Sequence, residues 1–489
     1  MKEAHYSRDT ALAQLAEFEE AVVATLATHR AHARANIDGL DAATGWAPIG
    51  DILRNLDIER WIDEGGMDAT AFQAFLAKYL NYSVKFRHPG YIAHQVSVPD
   101  YPAALASLIN GVTNNPMGIF EMGSAAATLE FSVINWMLRK VGWPPQVLDA
   151  APGAPPTAGG VMTHGGSLAN LTALLAARAR VAPDAWEQGV PHDLAVLVPA
   201  SSHYSNARAV SILGLGRQAV YELEVDAFGV VRVDRLEQAL ATIKSDNRRC
   251  MALIANACST ATGLHDPLRP IGEFCRTHNI WFHADACHGA SALMSPAVRH
   301  HLDGIELADS IVWDTHKMMQ VPVLSAAVLL RDVSDFDRAF HQEASYLAYG
   351  QSLDNYDTIT RTVECTRSAM GFKVFLNLAW RGEAALGDYV RERYEAAQRF
   401  YALISARPGF SCPYRPETNI LCFRYGEDDA EQEAVREHLM RTGQFHITST
   451  LLNGRRYLRL TVMNRLTNEA TIERLLDAIE QTAQERRNP

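Results

Sequence analysis

From residue 160 onward the chain repeats one pattern, a short apolar run followed by a helical stretch. The runs read "GVMTH", "DLAVLVPA", "QAVYELE", "CMALIANA", "IWFHAD", "DSIVWD" and "LSAAVLL". Apolar runs this short, without polar alternation, are strands buried on both faces, and helices between them imply a mostly parallel sheet covered on both sides. This is an α/β fold. Before it, "LAQLAEFEEAVVATLATHRAHARANI" has apolar residues at helical spacing and no Gly or Pro, so the chain opens with a helical arm. After about residue 371 the alternation loosens into long helices and the strands "NILCFRY" and "YLRLTVM", which predict a small α+β unit. The expected organisation is an N-terminal helical arm and dimerisation segment over 1–95, a large domain over 96–370 and a small domain over 371–489.

Composition excludes several classes of function. The formal net charge of −11 and the absence of any basic block argue against nucleic-acid binding. Seven cysteines without a C-x-x-C pair predict neither a disulfide framework nor a zinc site. The start lacks a signal-peptide core and no long apolar run follows, so a cytoplasmic protein is expected.

Five places carry chemistry, several of them at strand ends, where open α/β sheets bind ligands. In "THGGSLAN" a strand runs into Gly165, Gly166 and Ser167 before a helix. Small residues there let N–H groups approach an anion at the helix N-terminus; a plain turn with Ser167 as cap is the alternative. His203 follows "LAVLVP", where an imidazole stacks on a flat ligand, shuttles protons or is simply structural. Asp285 ends "IWFHAD" and needs a donor or cation if buried. Lys317, in "SIVWDTHKM", is either a snorkelling lysine or a desolvated amine of lowered pKa able to form a Schiff base. Arg459, in "YLRLTVM", is suited to grip a carboxylate bidentately, or forms a structural ion pair. One cofactor asks for all five: pyridoxal phosphate needs an anion cradle, a stacking group, an acid for its ring nitrogen and a Schiff-base lysine, and an amino-acid substrate needs a cation.

With those residues placed, the chain resembles the pyridoxal-phosphate group II amino-acid decarboxylases, over roughly residues 80–485. The motifs are "HPGYIAHQ", "NNPMGIFEMGSAAATLE", "THGGSLANLTALLAAR", "STATGLHDP", "HADACHG", "WDTHKM", "ASYL", "ECTRSAMGFKVF" and "LRLTV". The resemblance implies the aspartate aminotransferase-like fold (fold type I) and a homodimer with shared active sites. It implies that Lys317 carries the cofactor, Asp285 meets its ring nitrogen and His203 stacks on the ring. Gly165, Gly166, Ser167, Asp314 and His316 would bind the phosphate, with Thr260 and Cys287 beside the ring; the family often has alanine where Cys287 stands. Tyr346, in the segment resembling the family's mobile loop, would return a proton to Cα after carbon dioxide leaves, with Tyr349 as a rival. Arg459, His94, Gln95, Gly118 and Phe120 would shape the substrate site. That lining is more polar than in the aromatic enzymes, which favours an acidic or diamino amino acid, free or carrier-tethered. The alternatives are an aromatic decarboxylase, an aldehyde synthase or other lyase on the same fold, and a catalytically silent cofactor-binding scaffold.

Overall fold

A computed structural model describes residues 7–148, 157–340 and 356–487. Seven strands form one sheet: β1 (Gly159–Thr163), β2 (Leu194–Pro199), β3 (Val220–Leu223), β4 (Arg249–Asn256), β5 (Trp281–Asp285), β6 (Ser310–Trp313) and β7 (Ala326–Leu330). Their order is β1-β7-β6-β5-β4-β2-β3. β3, β2, β4, β5 and β6 run parallel, and β7 runs antiparallel between β1 and β6. β1, β2, β5, β6 and β7 are buried at every position, which is why they read as unbroken apolar runs. Two apolar cores cover the two faces. One packs Phe282, Ile311 and Trp313 with Met137 and Leu138 of the helix Phe120–Val141. The other packs Val196, Ile254 and Val312 with Leu174 and Ala173 of the helix Gly166–Val181.

Four further strands, β8 (Phe410–Ser411), β9 (Ile420–Tyr425), β10 (Thr448–Leu452) and β11 (Arg455–Thr461), form a second, antiparallel sheet in the order β10-β11-β9-β8. Its core includes Phe423, Leu458 and Leu460 with Ile472, Leu475 and Ile479 of the helix Glu469–Arg487. Ile92 belongs to the same core although it lies in the N-terminal stretch: its amide donates to His446 O (2.9 Å) and its carbonyl accepts from Thr461 N (2.9 Å). The helical arm is a single helix, Arg8–Ile37, that packs on the helix Ala69–Tyr82.

Candidate active site

β1, β2, β4, β5 and β6 point their carboxyl ends to one edge of the sheet, because the antiparallel β7 restores the direction of β1 to that of β6. A cavity of about 350 Å³ opens there. Its walls include ten residues expected from the sequence: Gly165, Gly166, Ser167, His203, Thr260, Asp285, Cys287, Asp314, His316 and Lys317.

The first loop is built by Gly165, whose φ of 99° belongs to glycine, and the helix starts at Gly166. A Cβ on Gly166 would lie 2.5 Å from Cys287 Sγ and 2.8 Å from Asp314 Oδ1. The absence of a side chain therefore keeps the helix N-terminus open as an anion cradle. His203 caps the next helix; its Nδ1 accepts from Ser205 N (3.3 Å). Burial holds its imidazole below the ordinary range.

Asp285 is 6 % exposed and has no arginine partner among the described residues. Its Oδ2 accepts from Asn206 Nδ2 (2.8 Å) and Asn170 Nδ2 (3.1 Å). A buried relay orients Asn170: Trp281 Nε1 donates to Ser310 Oγ (2.7 Å), which lies 2.7 Å from His283 Nδ1, and His283 Nε2 donates to Asn170 Oδ1 (3.0 Å). Burial presses His283 down to about 4, so it is neutral at pH 7. For Asp285 burial pushes the carboxyl up, but its neighbours and the amide donors outweigh this and hold it below the ordinary value. With Oδ2 so engaged and Oδ1 reached by Cys287 N at 3.4 Å, an ionised carboxylate oxygen is left for a cationic N–H in the cavity.

One expectation is corrected here. A lowered pKa for Lys317 is reversed: burial pulls the ammonium down, but Asp314, whose Oδ2 is 2.9 Å from Nζ, raises it further, so the free amine stays protonated. The same contact pairs Asp314 with Lys317 in the cavity wall beside Gly166. His316 is held by Nδ1–H to Ser325 O (2.7 Å).

A second chamber of about 380 Å³ shares His203 and Thr260 with the first. His94 and Arg459 line it, as expected. Arg459, however, is not free for a bidentate grip. It donates to Ala261 O (3.2 Å), Thr260 O (2.7 Å), Ala93 O (3.3 Å) and Thr448 Oγ1 (3.3 Å), which leaves one N–H on Nη2. Gln95, Gly118 and Phe120 line neither chamber. Gly118 O accepts from Thr358 N and Ile359 N (3.2 and 3.0 Å), and Phe120 N donates to Asp357 Oδ1 (2.7 Å), so both shape the protomer's own packing. Tyr346 and Tyr349 lie outside the described residues.

Asn170, Asn206 and His288 escape a reading of the sequence. Only His288 left a trace, in the departure "DACHG". It is 2 % exposed and lines the main cavity; Nε2 donates to Asn419 Oδ1 (2.7 Å), Nδ1 has no partner, and burial drives the ring to about 3.

The profile of the pyridoxal-dependent decarboxylase conserved domain matches residues 70–426. The chain belongs to this family. It is a pyridoxal-phosphate-dependent amino-acid decarboxylase, a carboxy-lyase. It is 28% identical over 458 residues to the acidic amino acid decarboxylase GADL1 of Bos taurus, covering 89% of this chain and 85% of the relative. It is 29% identical over 414 residues to the L-2,4-diaminobutyrate decarboxylase of Rhizobium meliloti (83% and 80%). The structure of mouse CSAD superposes with a TM-score of 0.87 at 24% identity, covering 96% of this chain and 99% of that one. The cavity fits the cofactor: an open helix N-terminus held clear by Gly166, an ionised buried carboxylate and a lysine face one space.

Proposed function

We propose that this enzyme removes the α-carboxylate of an amino acid with an acidic side chain and acts as a cytoplasmic homodimer. One observation carries the substrate class. The chamber beside the cofactor cavity is walled by the hydroxyls of Ser201, Ser202, Thr448, Ser449 and Thr450, by His94 and by Arg459, and none of its described wall residues is a carboxylate. A side-chain ammonium would find no counter-charge there, whereas a carboxylate or sulfinate finds donors and a guanidinium. Among the described wall residues Tyr204 is the one tyrosine, phenylalanine or tryptophan, which argues equally against an aromatic substrate.

Pyridoxal phosphate, when bound, supplies the aldehyde that captures the substrate amine and the ring that accepts the electron pair left by carbon dioxide. Lys317 is the residue that would hold it covalently, and Asp314 keeps the released amine within the cavity. Asp285, ionised and accepting from two asparagines, would hold a proton on the cofactor's ring nitrogen. Gly165, Gly166, Ser167 and His316, which line the cavity, would hold the phosphate, and His203 and Cys287 would lie beside the ring. The remaining N–H of Arg459, which lines the chamber beside this cavity, would be left for the substrate. Tyr346 returns the proton to Cα, which favours amine over aldehyde as product.

The dimer is supported by apolar side chains left in water on one protomer. Leu12, Val23 and Leu26 of the arm are 51%, 68% and 57% exposed, and Leu108, Ile109 and Val112 are 40%, 39% and 56% exposed. No helix among the described residues is long and apolar enough to cross a membrane. The deciding experiment compares turnover of glutamate, aspartate, cysteine sulfinate, diaminobutyrate, tyrosine and tryptophan, with the products identified. The acidic substrates are expected to lead; faster diaminobutyrate or aromatic turnover, or aldehyde as the main product, overturns the proposal.

A further inference from the structure

A hydrogen-bonded chain of three side chains stands at the rim of the cavity and takes no part in the chemistry above. His164, the residue after β1, directs Nδ1 at the Glu364 carboxylate, and its Nε2 lies 3.1 Å from Ser368 Oγ. Glu364 is 19% exposed, with one carboxylate oxygen buried and without a partner among the described residues, and His164 is 34% exposed. Ser368 is open to solvent.

The fold delivers this arrangement deliberately. Arg367, between Glu364 and Ser368 in the chain, forms a buried two-pronged ion pair with Glu130 (2.6 and 2.7 Å). Glu130 in turn accepts from Met162 N of β1 (3.2 Å), so the segment is pinned beside the strand that leads into His164. A serine just before a helix ordinarily caps it. Here Ala369 occupies the cap of the helix Met370–Arg381 without a side-chain bond, and the Ser368 hydroxyl turns to His164 instead. The Ala369 N–H has no acceptor among the described residues.

We propose that Ser368, His164 and Glu364 form a second catalytic site, an acyl-transfer centre that hydrolyses small esters approaching from solvent. His164 Nε2 takes the hydroxyl proton as Ser368 Oγ bonds to the acyl carbon. The ester C–O bond then breaks, and the departing alcohol carries off the proton held on Nε2. Water, deprotonated by the same nitrogen, attacks the acylated serine and releases a carboxylic acid, with Ser368 regaining its proton. Glu364 accepts the hydrogen bond from Nδ1–H and orients the ring, so that Nε2 presents its lone pair. The Ala369 N–H, next after the nucleophile and at a helix start, is the donor for the developing oxyanion. No oxidant, metal or cofactor enters the balance.

His164 also lines the cofactor cavity, so the test uses its partners. Cofactor-loaded protein is given 4-nitrophenyl acetate and, separately, a fluorophosphonate followed by intact-mass and peptide analysis. Steady release of nitrophenolate and a single adduct on Ser368 are expected. Ser368→Ala should lower ester hydrolysis at least ~100-fold while amino-acid decarboxylation stays within about twofold. Glu364→Gln should lower hydrolysis at least ~10-fold, and Lys317→Ala should leave it intact. Ser368→Cys should still be acylated, which separates loss of the nucleophile from loss of the fold. Hydrolysis in Ser368→Ala at the parent rate, or absence of an adduct on Ser368, overturns the proposal and leaves the decarboxylase assignment untouched.

Discussion

Lys317 and Asp314 set the character of the site at the scale of single residues. Their 2.9 Å contact keeps the amine protonated when it is free, so it neutralises a buried carboxylate as well as serving the cofactor. Lys317→Ala is expected to abolish covalent cofactor retention after dialysis and to lower kcat by more than about 10³; absorbance of the dialysed protein and single-substrate kinetics check both. Gly166→Ala should weaken cofactor binding, because the new methyl overlaps Cys287 Sγ and the Asp314 carboxylate. Cys287→Ala in the same chain should restore part of the loss, whereas equal affinity in the single and double variants would disprove the steric argument. Removing one donor from Asp285 with Asn206→Leu should cost about 2 kcal/mol of stability, the value of a hydrogen bond to a charged group, measured by urea unfolding at neutral pH.

At the scale of elements, the sheet is tied to its flanking helices by polar side chains that a scan for apolar runs passes over. The relay from Trp281 through Ser310, His283 and Asn170 holds two strands and the helix Gly166–Val181 in register around Asp285. It has a consequence for pH. His283 sits at about 4 in the folded state and near 6.5 when unfolded, so below pH 6.5 the unfolded chain binds the extra proton. Its contribution is complete above pH 6.5 and declines as pH falls towards 4, by about 1.4 kcal/mol per unit at the steepest. Asp285, lowered instead, keeps its contribution until pH falls below the ordinary carboxylate range. Urea unfolding at pH 7, 6 and 5 should show the decline, and a flat profile would contradict a neutral buried His283. The Glu130–Arg367 pair is a comparable tie: Arg367→Leu leaves a buried carboxylate without its cation and should cost about 3–5 kcal/mol.

At the scale of the whole molecule, the exposed apolar stripe of the arm asks for a partner. Val23→Glu with Leu26→Glu should shift the solution mass from dimer towards monomer in sedimentation and lower decarboxylation with it. An unchanged mass would place the dimer contact elsewhere. The two chambers meet where the large sheet faces the small one, since Arg459 of β11 is fastened to Thr260 O and Ala261 O beyond β4. The substrate's surroundings thus depend on how two separately cored sheets are joined.

Local sequence was sufficient for the sheet, its parallel sense and the residues at strand ends, because full burial writes itself as unbroken apolar runs and a strand end is set by the few residues after it. Six of the residues read that way, Gly165, Gly166, Ser167, His203, Asp285 and Lys317, share one cavity with four that only the resemblance added, Thr260, Cys287, Asp314 and His316. It could not show that Asp314 would turn to Lys317, that two asparagines would hold Asp285, or that Arg459 would give most of its donors to carbonyls of the opposite sheet. Those are choices between partners far apart in the chain, made by which oxygen lies within about 3 Å of which nitrogen. No periodicity records such a distance; only packing decides it.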